Sequence, residues 1–251
     1  MSGPGEDQGV ELQLQAVADR AVEHARIRAG DRMLDVCCGT GNAAAAAAAL
    51  GVRIDGIDLA RQPLDIARRR VPDGRFQVAD ATSLPFDADT FDAAVSVFGV
   101  IYTHGDRAIS ELVRVVRPGG RIVITAWLEA GSILSAGGIM RRAIAQVEPP
   151  PRDAPQPTSW HDREALRDLF TPHHVEFSDE QITFRAASPQ AVADEYYGSH
   201  PLWLAARKSV GQSRYEQLRA EATQFFTDIN EDPLAWRASG RYLAAIVRLS
   251  A

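Results

Sequence analysis

Apolar positions along the first half of the chain switch between two periods. Val10, Leu14, Val17, Ala21 and Ala25 recur at helical spacing, which predicts an amphipathic helix over 10–28. Ala29-Gly30-Asp31 ends it, and Arg32 to Cys38 reads as a short buried strand. Gly39-Thr40-Gly41-Asn42 is a tight turn that leads into seven consecutive alanines, Ala43 to Ala49, and Leu50. Alanine is the strongest helix former, and its small side chain lets a helix lie close against a sheet. The alternation continues with a strand over Arg53–Asp58, a helix over Gln62–Arg70, and strands over Arg75–Asp80 and Phe91–Phe98. A helix over Arg107–Val116, stopped by Pro118-Gly119-Gly120, precedes a strand over Arg121–Trp127. Repeated strand–helix alternation predicts an α/β fold, with a doubly wound, mostly parallel sheet carrying helices on both faces.

Beyond Trp127 the rhythm breaks. Glu129 to Val147 reads as helix, and Pro149 to Pro157 holds five prolines in nine residues, a stiff extended connector. A short helix over Asp162–Phe170 and one or two strands within Val175–Arg185 follow. Ser188 to Asp228 reads as mostly helical and carries Tyr196, Tyr197, Trp203, Tyr215, Phe225 and Phe226. An apolar strand over Arg241–Leu249 closes the chain. The domain reading is one domain over 1–251. Its parts are an N-terminal helix (10–28), a binding core (30–127) and two helical segments (128–160 and 188–235) that form a cap over the acceptor.

Composition narrows the classes. With 251 residues, 45% hydrophobic and 24% charged, the chain is long and apolar enough for a large core. A net charge of −6 gives no counterion-release affinity, so nucleic acid is not an expected partner. The two cysteines, Cys37 and Cys38, are adjacent, which excludes a disulfide framework and a four-ligand zinc site; no metal is expected. The first ten residues are polar and no apolar run approaches bilayer length, so no membrane partner and a cytoplasmic location are expected.

Ligands of open α/β sheets bind outside the carboxyl ends of the strands. Gly39-Thr40-Gly41 there lets backbone approach a ligand closely and presents N–H groups at a helix N-terminus. Asp58, ending the second strand, can accept from both hydroxyls of a ribose, though it could equally cap the next helix. Asp80, ending the third, can accept from an exocyclic amine such as that of adenine, though it could equally form a turn. A glycine turn with an acidic second strand end also fits a dinucleotide site. Asp35, four residues before Gly39, separates the two readings: a carboxylate repels a pyrophosphate and attracts an ammonium group.

Met33-Leu34-Asp35-Val36-Cys37-Cys38-Gly39-Thr40-Gly41 resembles the first motif of class I S-adenosylmethionine-dependent methyltransferases. Gly56 to Ala60, Asp80 to Phe86 with Phe91-Asp92, and Leu112 to Arg121 resemble later motifs in the same order. The likeness covers roughly 30–127 and is greatest to the quinone-biosynthesis and small-molecule branch. It implies a Rossmann-like sheet with a C-terminal antiparallel strand, and S-adenosyl-L-methionine as cofactor. It further implies that Asp35 holds the methionine ammonium and that Cys37, Gly39, Thr40 and Gly41 line the methionine and ribose. Asp58 would take the ribose hydroxyls, Leu59 would lie against the adenine, Asp80 and Ala81 would read the adenine edge, and Phe98 would border the methionine arm. Cys37 departs from the family, which usually has glycine there, so a slightly altered turn is expected.

The implied reaction is methyl transfer to the oxygen, nitrogen or carbon of a small organic acceptor. His104 and Tyr102, after the fourth strand, are the candidates for a base if the acceptor needs one. Trp127, Tyr197 and Trp203 are the candidate acceptor contacts, though such aromatics also serve as core. Rival readings are another use of the same cofactor, a silent cofactor-binding protein, and an oxidoreductase using NAD. A monomer or homodimer is expected.

Overall fold

A computed structural model describes residues 13–128, 134–149, 158–199 and 201–250. Expectations at 1–12, at 129–133 and for most of the proline connector lie outside the described residues. The described residues divide into two compact units. One holds 14–127, 158–180 and 242–250; the other holds 13, 128, 134–149, 181–199 and 201–241.

The elements run α1 (Gln15–Ala25), β1 (Arg32–Val36), α2 (Asn42–Ala48), β2 (Arg53–Asp58), α3 (Arg61–Arg70), β3 (Arg75–Val78), β4 (Phe91–Val97), α4 (Gly105–Val115), β5 (Val116–Trp127), α5 (Leu134–Val147), α6 (Arg163–Leu169), β6 (His174–Ala186), α7 (Pro189–Ser199), α8 (Pro201–Val210), α9 (Gln212–Asp228) and β7 (Trp236–Arg248). Among the described residues the strands form one sheet in the order β3-β2-β1-β4-β5-β7-β6. β1 pairs in parallel with β2 and β4, β2 with β3, and β4 with β5. β7 runs antiparallel to β5, from Arg121↔Arg248 to Trp127↔Tyr242. The expected mostly parallel sheet with an antiparallel C-terminal strand is therefore observed. β3 and β6 are its edges.

The alanine run has a packing reason. Ala43, Ala44 and Ala47 of α2 are buried with Ala18, Ala21 and Ala25 of α1, Ala67 of α3 and the sheet residues Met33, Val95 and Val123. Side chains of one carbon let three helices close over one sheet face. A Cβ built on Gly41 would lie 3.0 Å from the Ala67 Cβ, so the turn before α2 already sits against α3.

Several boundaries differ from the sequence expectation: β3 ends at Val78, two residues before Asp80, and β7 begins at Trp236, five residues before Arg241. Pro118-Gly119-Gly120 does not stop α4; the helix ends at Val115, and Val116–Gly120 already belong to β5. Val116 pairs with Phe91, and the register shifts before Ala93↔Arg121. The Pro-Gly-Gly segment is thus absorbed as an irregularity inside a strand, where proline and glycine mark bulges as readily as helix ends.

The second unit is helical. α7, α8 and α9 replace the single helical stretch expected over Ser188–Asp228. Its core is aromatic. Tyr196 lies edge-on to Trp203 and Phe226 at 5.7 and 5.5 Å, and Phe226 meets Trp236 at 6.0 Å. Tyr215 stacks on Tyr197 at 4.5 Å.

Candidate cofactor site

The strand order brings the ends of β3, β2, β1 and β4 side by side, and these carry the sequence-predicted site residues. Asp35 sits inside β1, 2% exposed. One carboxylate oxygen accepts from the Ala44 N–H at 2.9 Å, in the first turn of α2. Burial raises its pKa to about 7, with the neighbouring Asp58 carboxylate adding to the rise; the Ala44 hydrogen bond and the Arg70 charge oppose it. A carboxyl poised in this way becomes fully ionised when a cation comes beside it.

Asp58 is the last residue of β2 and ties two segments together. Its Oδ2 accepts from the Gly39 N–H at 2.9 Å and its Oδ1 from the Ala60 N–H at 2.8 Å. Asp58 does not cap α3, whose N-cap is Ala60 without a side-chain cap bond; it braces the turn before the helix, and each of its oxygens keeps a second acceptor direction for a hydroxyl. Leu59 beside it is 67% exposed, an apolar shelf at the rim. Asp80 is exposed; its Oδ1 accepts from the Thr82 N–H and hydroxyl, both at 2.8 Å, which hold its pKa below the usual carboxylate range. Ala81 is buried. The loop that follows is fixed from behind. The Leu84 N–H donates to Glu111 at 2.6 Å, and Arg114 donates to the Phe86 and Leu84 carbonyls at 2.7 and 3.0 Å.

The turn after β1 shows how Cys37 is accommodated. Cys37 adopts φ +55°, the left-handed region that glycine occupies freely, and Gly39 and Gly41 follow at +52° and +80°. The cysteine takes up a backbone conformation suited to glycine. The neighbouring strand end gives room, since a Cβ on Gly99 would lie 2.3 Å from the Cys37 Cβ. Burial pushes the Cys37 thiol up to about 12, with nearby Asp58, Asp35 and Asp80 adding to the rise, so it stays neutral. Cys37→Gly should leave cofactor affinity unchanged and alter stability by no more than about 1 kcal/mol, because relief of the left-handed strain is offset by glycine's greater unfolded freedom. Thermal melts and a titration of the variant check this.

Ser96 joins the ends of β1 and β4: its hydroxyl donates to the Val36 carbonyl at 2.8 Å and accepts from the Val100 N–H at 3.0 Å. Phe98 has φ +53° and is buried, with its ring stacked on Trp127 at 3.8 Å. Tyr242 closes on both rings edge-on, at 5.6 and 6.4 Å. Its hydroxyl donates to Glu180 at 2.8 Å, and Glu180 meets His24 at 2.6 Å. This group was not foreseen from the sequence. The only signal was the alternation of β7, which puts Tyr242 on the same face as Ala244 and Ile246.

Tyr102 is 60% exposed in the turn after β4. His104 is exposed at the N-cap position of α4, without a side-chain cap bond, and its charge acts on Asp80. His104 therefore lies near Asp80. Tyr197 and Trp203 belong to the helical unit. Tyr197 is half-buried, its hydroxyl bonded to Glu216 and its ring under the Arg219 guanidinium at 4.8 Å. Trp203 is fully buried, and its indole N–H has no hydrogen-bond partner. Among the described residues no group of His, Cys, Asp or Glu side chains could hold a metal ion, and no helix is long and apolar enough to cross a membrane.

Comparison with known proteins agrees with this geometry. Residues 33–120 match a family described as a methyltransferase domain. The demethylmenaquinone methyltransferase of Clavibacter sepedonicus is 47% identical over 100 residues, 38% of this chain and 41% of that one. The chain spans about half the length of the curated relatives it matches. Among solved structures, the (4+2)-cyclase SpnF superposes with a TM-score of 0.60 at 23% identity, covering 98% of this chain and 85% of that one. A geranyl diphosphate methyltransferase in complex with SAM gives 0.53 at 16% identity, covering 94% and 85%. At such identities the two structures bear on the fold alone. The order of motifs along 33–120, the glycine turn between β1 and α2 and the sheet topology agree with the methyltransferase domain that residues 33–120 match.

Proposed function

We propose that the chain transfers a methyl group from S-adenosyl-L-methionine to a small organic acceptor. The observation that carries this reading is the buried Asp35 of β1 before the glycine turn, with Asp58 ending the adjacent β2 and Asp80 just past the end of β3, the next strand out. The donor set fits a cationic amino acid joined to a nucleoside. Asp35 offers a carboxylate to an ammonium group, Asp58 to a diol, and Asp80 to an amine, with exposed Leu59 for the base. It fits a dinucleotide poorly, because a pyrophosphate at the turn would meet Asp35 and Asp58.

When bound, the cofactor supplies a methyl group already activated by its sulfonium. The chain's own work is to bind, align and exclude water. Asp35, the Cys37–Gly41 backbone and Phe98 hold the methionine arm, Cys37 and Thr40 also lining the ribose. Tyr102 and His104 are the proposed groups to take a proton if the acceptor is a poor nucleophile. Trp127, Tyr197 and Trp203 are the proposed acceptor contacts, and segments 128–160 and 188–235 the proposed cap. The −6 charge supports a small acceptor over nucleic acid. The Clavibacter relative named as a demethylmenaquinone methyltransferase makes a quinone-type molecule one acceptor to test, with oxygen, nitrogen and carbon all open as the methylated atom.

Asp58→Ala tests the cofactor reading. Loss of charge-assisted bonds of about 1.5–3 kcal/mol should weaken S-adenosylhomocysteine binding roughly 10- to 150-fold in calorimetry. Unchanged binding by a folded variant would remove Asp58 from the site. Transfer of labelled methyl into a pool of small metabolites separates catalysis from silent binding.

A further inference from the structure

We propose that Arg70 is a positioning residue for the cofactor turn, its guanidinium fastening the outer side of Thr40–Asn42 to the first turn of α1. Arg70 ends α3 as the last of three consecutive arginines. Its neighbours differ from it. Arg68 reaches Asp65 and the Phe76 carbonyl at the far side of the helix, whereas Arg70 turns to the glycine turn. Its Nη1 donates to the Thr40 carbonyl at 3.0 Å and to the Asn42 side-chain oxygen at 2.6 Å. Its Nη2 donates to the Gln15 side-chain oxygen at 2.7 Å. Gln15 completes the loop by donating to the Asn42 carbonyl at 3.0 Å and to Asp19 at 2.8 Å.

Every acceptor of Arg70 is uncharged, and among the described residues no carboxylate lies within ion-pair distance of it. Its charge is thus left to act on its surroundings. The planar fork matches several fixed oxygens at once, a geometry that a lysine ammonium does not reproduce. The backbone it holds is the backbone that bears Gly39 and Gly41, both in left-handed conformations. An unsupported turn of this kind has many alternatives, and the guanidinium selects one. The same charge favours ionised Asp35, while Asp58 at the end of β2 opposes it and the Cys37 and Cys38 thiols beside it stay neutral through burial.

The proposal rests on the cofactor reading above, and its test has an arm that does not. Arg70→Gln and Arg70→Lys are compared with the wild-type chain. Without ligand, amide hydrogen exchange at residues 40–44 should quicken in the Gln variant and recover only partly in the Lys variant, since lysine restores the charge without the fork. In calorimetry with S-adenosylhomocysteine between pH 6 and 9, the Gln variant should bind roughly tenfold more weakly. The pH at which its affinity falls by half should move upward, while Lys restores that midpoint. Unchanged exchange at 40–44 would overturn the proposal. So would weaker binding that merely tracks a lower melting temperature with an unmoved midpoint. A wild-type chain that binds no S-adenosylhomocysteine, with exchange still quickened in the Gln variant, would sink the cofactor reading and leave the positioning role standing.

Discussion

Asp35→Asn is expected to make the ligand-free protein more stable at pH 8 and a much weaker binder of the cofactor. The wild-type carboxyl has a folded pKa of about 7 against 3.8 for the ordinary side chain, chiefly through burial. Between those values the folded state holds a proton that the unfolded state releases, so stability falls as pH rises from about 4 to about 7 and stays low above. The gap corresponds to roughly 4 kcal/mol at pH 8. Asparagine removes the ionisation and can keep the oxygen that accepts from Ala44. It also buries an amide donor, which costs about 1–3 kcal/mol if unpaired. The net gain should be about 1–3 kcal/mol, several degrees in melting temperature for a chain of this size. Binding moves the other way. Losing a charged partner for the ammonium group should weaken S-adenosylhomocysteine roughly 10- to 150-fold at pH 8. The wild-type loss of affinity as pH falls through about 7 should vanish in the variant. Parallel losses of stability and binding at pH 8 would mean that Asp35 serves the fold and not a cation.

Trp203→Ala is expected to cost about 3–5 kcal/mol, the range for deleting a large buried aromatic. Trp203 is 0% exposed and packs edge-on against Tyr196. The instructive companion is Trp203→Phe. The other polar aromatic heads in this core are satisfied, Trp236 by the Phe226 carbonyl at 2.8 Å and Tyr215 by the Tyr197 carbonyl at 3.0 Å. Only the Trp203 N–H lacks a partner among the described residues' buried indoles. A phenyl ring removes that donor, so the Phe variant should melt within about 1 kcal/mol of wild type, offsetting lost volume against a removed desolvation penalty of about 1–3 kcal/mol. Denaturant unfolding of the two variants measures this. A Phe variant that keeps its stability yet raises the acceptor Michaelis constant would make the N–H an acceptor contact; unchanged kinetics would leave Trp203 as core.

The sheet was legible because its signals are local. Apolar runs of strand length end in Asp35-to-Gly41, Asp58 and Asp80, and each lies beyond or within the strand end that the topology sets beside its neighbour. What escaped was long-range or conformational. The His24–Glu180–Tyr242 group joins residues 62 and 156 positions apart, and no spacing rule reaches that far. Arg70 looked like one of three equal arginines, because a sequence does not say which way a helix's last turn faces. Pro118-Gly119-Gly120 carried the composition of a helix stop, yet pairing of Val116 with Phe91 drew that segment into the sheet. The breaks between α7, α8 and α9 carried a local signal that went unread: Pro201 opens α8 and Gly211, at φ +78°, separates α8 from α9.

The two edges of the sheet also bear on what happens when copies of the chain meet. β3 is only four residues long. β6 is thirteen long, and exposed His174, Glu176, Asp179, Gln181 and Arg185 stud its length. A foreign strand arriving at β3 would find few ladder positions, and one arriving at β6 would have to bring charged side chains of both signs into register with its own. Lateral growth of the sheet from chain to chain, the route by which exposed edges seed fibres, is thereby disfavoured at both ends by different means: brevity on one side and charge on the other.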